Sequence, residues 1–178
     1  MEMGRKSSLI ERMLGAARLD IDTYEEVEHD TTATSQAATV VAIVAVAAAI
    51  GSVRSGSGGL IAGLIGAFAG WLIWSGVTYL IGTALFEGKA TWGELLRTLG
   101  FAQSPGVLYV LGIIPFLGGL VRLAVWIWLL VAGIIAIRQA LDIDTGKAIL
   151  TALIGWAVYV VFAIIVGAFL GVGAWVLG

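Results

Sequence analysis

The sequence predicts an all-α integral membrane protein: a bundle of five transmembrane helices, amphipathic surface helices on the cytoplasmic side, N-terminus in and C-terminus out. Three observations predict it. Of 178 residues, 60% are hydrophobic and only 12% charged, where a soluble domain carries about a quarter charged residues. The mean hydropathy of +1.01 leaves too little polar surface to cover the chain in water, so lipid is its main solvent. Every Asp and Glu falls in residues 2–30, 87–94 or 142–144, which leaves long acid-free runs between them. The 25 glycines are roughly twice ordinary usage, and membrane helices use glycine to bring backbones close. The chain has no cysteine, which excludes disulfides and thiolate metal sites.

Residues 1–35 form the cytoplasmic N-terminal segment, and residues 36–178 the membrane domain. No cleaved signal peptide is expected, because the first long apolar run starts near Gln36, far behind any basic region. "MEMGRK" offers no myristoylation pattern. "SSLIERMLGAARL" puts Leu9, Ile10, Met13, Leu14 and Ala17 on one helical face and Glu11, Arg12 and Arg18 elsewhere. Two readings fit: a helix lying on the membrane surface, or a helix packed on the rest of the protein. In "DTYEEVEHD", Thr23 and Glu26 make a capping-box pattern, and "TTATSQ" offers caps for the next helix.

The spans follow from uninterrupted apolar length. Residues 36–53 are Ala/Val-rich and uncharged, and "RSGSGG" is a turn. Residues 59–86 would reach about 42 Å as a helix, so this span tilts or protrudes. Residues 105–119 are apolar but reach only about 22 Å. Residues 121–140 are a fourth span, "LDIDTGK" a loop, and 148–177 a fifth. Five crossings with the N-terminus inside put eight Lys and Arg inside and only Arg54 and Arg122 outside, which obeys the positive-inside rule. A third segment that dips in and returns gives seven to three instead.

Residues 91–105, "TWGELLRTLGFAQSP", read as a soluble helix between membrane runs. Thr91 and Glu94 form a capping box. Trp92, Leu95, Leu96 and Leu99 then share one face, opposite Glu94, Arg97 and Thr98. Ten residues reach about 15 Å, too short to span. Gly100 reads as a helix stop, and Ser104 as the cap of a new helix with Pro105 in its first position. The stretch is an interfacial helix, a corner, and re-entry. Trp92, Leu95, Leu96, Leu99 and Pro105 are its candidate docking surface for a cytoplasmic partner.

"ARLDIDTYEEVEHDTTATSQA", "WGELLRTLGFAQSPGVL" and "ALDIDTGKAIL" together resemble the Yip domain family of Ypt/Rab-interacting-type small membrane proteins. The resemblance covers roughly residues 8–175, and "GFAQSP", Gly100 to Pro105, is its most specific piece. It implies five membrane helices and a cytoplasmic N-terminus, and supplies no catalytic residues. Eukaryotic members sit in secretory-pathway membranes and engage prenylated small GTPases and one another. With its short N-terminal region the chain resembles the compact prokaryotic branch, which implies the cytoplasmic membrane, and GTPase binding is not carried over.

Reactive chemistry is nearly absent. "EGKAT" and "TGKAI" lack the phosphate loop's first glycine, since residue 83 is Thr and 141 is Leu, and Ala follows both lysines. His29 is the only histidine and lies among acids in the polar segment. No Asp, Glu, Lys or His lies mid-membrane, so a proton relay or ion path lacks its usual parts. No metal, cofactor or nucleic-acid partner is expected. Arg122 and Arg138 lie at span ends, where they can snorkel.

Two features remain. Ser75, Thr78, Tyr79, Gly82 and Thr83 form a small-polar stripe, and Gly59-Gly63, Gly66-Gly70 and Gly167-Gly171 are small-xxx-small pairs. Both should face protein, through packing within the chain or at an interface with a subunit, lipid or quinone. The expected function is that of a non-enzymatic scaffold or accessory subunit that binds other membrane proteins, in a large complex or with itself. Membrane shaping or lipid handling is the alternative, and a small oligomeric transporter the third.

Overall fold

The computed structural model describes residues 7–53 and 60–177, with side chains as far as Val161. Seven α-helices follow in chain order: α1 (Leu9–Ala17), α2 (Ile21–His29), α3 (Ala33–Ser52), α4 (Leu60–Phe86), α5 (Trp92–Phe101), α6 (Leu117–Leu141) and α7 (Thr145–Leu177). A 3-10 helix, Ser104–Ile113, lies between α5 and α6. No strand occurs among the described residues. Among the described residues three helices, α3, α4 and α6, are long and apolar enough to cross a membrane, by length and composition.

Capping fixes the short helices. In α1 the Ser8 hydroxyl accepts from the Glu11 N–H at 3.3 Å, and the Glu11 carboxylate accepts from the Ser8 N–H at 2.7 Å. The same reciprocal pair joins Thr91 and Glu94 at the start of α5, as the sequence predicts. The expected Thr23–Glu26 box does not form. The α2 helix starts earlier, at Ile21, because Leu19 turns the chain with φ 63°. Thr23 then donates to Asp20 at 2.6 Å, and Glu26 turns to Arg12. The first span also starts earlier than expected, at Ala33, with the Asp30 carboxylate accepting from the Thr32 N–H at 3.0 Å.

The expected third span is a 3-10 helix rather than an α-helix, and it runs parallel to α3. Gly100, Gly106 and Gly112 lie against Ala37, Val44 and Gly51 of α3 in turn. From Val44 to Gly51 α3 advances about 10.5 Å, and from Gly106 to Gly112 the 3-10 helix advances about 12 Å, so the two ladders stay in step. Gly100 is therefore not a helix stop. It sits inside α5, where an added Cβ would lie 2.7 Å from the Ala37 Cβ. Ser104 does not cap the next helix either, because its hydroxyl donates back to the Phe101 carbonyl at 2.6 Å. The chain turns at Phe116, with φ 66°, and α6 begins at Leu117, earlier than expected.

The bundle has two unlike ends. At one end α1, α2 and α5 form a cap that rests on the start of α3 and the end of α6. The far end holds the Gly51, Gly112 and Gly118 meeting of α3, the 3-10 helix and α6. The core is continuous from Tyr24 and Val27 in the cap, through Leu95, Leu99 and Phe101, to Ala132, Ala136 and Ala140 of α6.

Candidate functional site

Two buried arginines hold the cap. Arg12, 2% exposed, donates to Glu26 at 2.8 Å, Asp30 at 2.7 Å and Gln36 at 2.8 Å. Burial disfavours its charge, but hydrogen bonds and charge from Glu26 and Asp30 outweigh that and raise its pKa. Burial likewise opposes the Glu26 carboxylate, yet Arg12 and Ser7 hold it below its ordinary range. Arg97 donates to the last carbonyls of α2, Val27 at 2.9 Å and Glu28 at 3.0 Å, where a cation also suits the helix dipole. The indole N–H of Trp128 donates to the Ala17 carbonyl at 2.8 Å and ties α1 to α6. Burial, with Asp142, Glu94 and Glu25 nearby, pushes the Glu28 carboxyl up to about 7 against the opposing effect of His29.

Below the cap the helices pack, and toward the far end α4 parts from α3 and α6. Gly82 of α4 lies on Leu141 of α6, and Gly155 of α7 lies on Trp74 of α4. Further along α4, a Cβ added at Gly63, Gly66 or Gly70 would meet nothing within 4 Å, and the same holds at Gly133 of α6. The gap divides into adjoining cavities. One of 340 Å³ lies between α4 and α6, lined by Gly66, Gly70, Gln103, Leu129 and Gly133. One of 580 Å³ lies between α4 and α7, walled by Trp74, Trp156 and Tyr159. A third, of 420 Å³, runs between α3 and α4 from Gln103 to Tyr109 and Arg122. Ser52, Gln103, Tyr109 and Arg122 are its polar and charged lining residues, and its other walls are small or aliphatic.

Residues 22–168 match the family model of the Yip1 domain. The chain belongs to the Yip1 domain family. Neither the curated proteins nor the solved structures give a match. The Yip1 domain match begins in α2, so α1 and its Arg12 lie ahead of it.

The Yip1 domain scaffold distributes the expected site residues unequally. Gly63, Gly66 and Gly70 lie open in the far half of the bundle. Ser75, Thr78 and Gly82 lie in the packed half instead. Ser75 and Thr78 are fully buried, and their hydroxyls have no partner among the described residues. Gly59 lies outside the described residues, and so do the surroundings of Gly167 and Gly171. The docking face expected on α5 is corrected: Leu95, Leu99 and Pro105 are buried within the chain and Leu96 is half-buried. Only Trp92, 46% exposed, stays open. That face is apolar because it packs on α3, α4 and α6 as well as on α2.

The sequence reading missed Arg12 and Arg97 as buried anchors, and Gln103, Tyr109 and Arg122 as one group. Arg122 did leave a signal. With every acid confined to three short stretches, no carboxylate side chain stands near it in the chain. Among the described residues no group of three or more His, Cys, Asp or Glu could hold a metal ion.

Proposed function

We propose that this Yip1 domain protein is a non-enzymatic scaffold or accessory subunit that binds other membrane proteins, or further copies of itself, inside the bilayer. One observation carries the reading: Gly66 and Gly70 of α4 and Gly133 of α6 border a cleft that the chain's own side chains leave open. Bare backbone on facing helices invites close approach of another helix, because in lipid association rests on van der Waals packing rather than on hydrophobicity. Five crossings in the cytoplasmic membrane, with the cap and N-terminus inside, complete the proposal, supported by the eight-to-two division of Lys and Arg.

The chain's lack of cysteine makes the test clean. Single cysteines at Gly66 and Gly70, and at the lipid-facing Leu72 and Leu80, are treated with a short crosslinker in native membranes. Defined protein adducts from positions 66 and 70, in excess over 72 and 80, support the reading. Equal or no adducts from the four positions refute it.

A second reading, membrane shaping, rests on α1. Ile10 is 68% and Leu14 51% exposed, and Ile21 and Arg18 are exposed beside them. An apolar edge with an adjacent cation at the cap suits a helix that wedges one leaflet. Liposomes reconstituted with the protein should then show higher curvature than with an Ile10→Ser, Leu14→Ser variant. Identical vesicles would dismiss it.

A further inference from the structure

We propose that the trough between α3 and α4 holds an acyl chain of an anionic phospholipid, with the lipid phosphate paired to Arg122. The argument starts from charge. Arg122 lies in the second turn of α6, near the positive end of that helix dipole, so its own helix does not compensate it. Among the described residues its one hydrogen bond is a long donation, 3.5 Å, to the Gly51 carbonyl. No Asp or Glu lies in residues 31–86, 95–141 or 145–178, so no side chain at the far end can neutralise it. An unpaired guanidinium at a span end is stable only beside an anion from outside the chain or in water.

The shape of the cavity selects the anion. The trough of 420 Å³ runs along α3 from Val44 to Ser52, about 12 Å at the α-helical rise. Its walls are small, with Ala45, Ala48 and Ala49 facing Gly63 and Ala67. Walls of such small side chains leave room for a single hydrocarbon chain along α3. A second cavity, of 270 Å³, shares Gly51 and Arg122 with the trough and is bordered by Gly112, Gly118 and Gly119. Its bare backbone leaves room for a headgroup beside the guanidinium. Tyr109 lines the trough as well, and a tyrosine hydroxyl there can donate to an ester carbonyl. Lipid binding here goes beyond partner binding and does not depend on it, because the cleft at Gly66 and Gly70 opens between α4 and α6 instead.

The test uses the full chain in nanodiscs of equal phosphatidylglycerol and phosphatidylcholine, released into mild detergent for native mass spectrometry. The wild type should retain phosphatidylglycerol preferentially. Arg122→Gln should lower that retention about tenfold, the loss of one charge-assisted contact, and leave phosphatidylcholine unchanged. Arg122→Lys should keep most of the preference, and Ala48→Leu, which fills the trough, should lower both lipids with Arg122 in place. Equal phosphatidylglycerol retention by the wild type and Arg122→Gln, at unchanged helical content, overturns the proposal. So does an Arg122→Gln variant that loses a co-purifying protein and keeps its lipid, which would assign the charge to a partner's carboxylate. If Arg122→Gln does not fold, indifference of lipid retention to Ala48→Leu overturns it equally.

Discussion

At the scale of single residues the protein is decided by where its few charges go. Arg12 and Arg97 read as outward-facing on their own helices, because the periodicity of one helix sees only that helix. Burial of each needs acceptors from elsewhere: Glu26, Asp30 and Gln36 for Arg12, and the end of α2 for Arg97, some 70 residues away in sequence. Truncation of Arg97 to Met should strip two carbonyls of a charge-assisted donor, costing about 1.5–3 kcal/mol. Hydrogen exchange should show this as faster exchange of the α2 amides, with α6 unaffected. Glu28 gives the cap a pH dependence. Its carboxyl is raised to about 7 in the folded chain, so the folded state binds the proton more tightly than the unfolded one. Cap stability should therefore fall as pH rises from about 5 to 8, and Glu28→Gln should reduce that slope when α2 exchange is followed across the range, leaving the part from His29, whose pKa the Glu25 carbonyl also raises. The Arg12–Glu26 pair works in the opposite sense, its contribution fading only at acid pH as Glu26 protonates.

At the scale of elements, most of the chain was legible. Apolar runs bounded by turn residues place α3, α4, α6 and α7, and Thr91 with Glu94 marks the start of α5. The 3-10 helix was not legible, because its residues are as apolar as any span and its tighter winding follows from a partner. Gly106 and Gly112 lie directly on Val44 and Gly51 of α3, and that match of two different rises is a tertiary fact. A Cβ at Gly106 would lie 2.6 Å from Val44 Cγ1. Gly106→Val should thus destabilise the protein by about 1–3 kcal/mol through overpacking, read as a lower thermal midpoint in detergent. Val44→Ala in the same chain should recover part of the loss, while Gly119→Val, where a Cβ meets nothing, should cost far less. The α5 face was misjudged for a related reason. An amphipathic face shows that something apolar covers it, and here the cover is the chain's own span helices α3, α4 and α6.

At the scale of the whole molecule, the packing is graded along α4, closed beside the cap and open on the far half of that helix. The membrane class and family were legible in composition and in "GFAQSP", since both are properties of the chain alone. The open cleft was only half legible: the glycine pairs announced close approach, but only the fold shows that Gly66 and Gly70 are left without a neighbour while Gly82 is covered by Leu141. The proposed role of binding another membrane protein rests on that uncovered glycine face of α4. The most direct measurement is the mass of the native particle, extracted gently from its own membrane, for the wild type and for Gly66→Leu with Gly70→Leu. The account predicts a defined assembly larger than one 18.5 kDa chain, which the double variant reduces toward the single chain without loss of helical content. A wild-type particle of one chain, or an assembly that the double variant leaves intact, would contradict it.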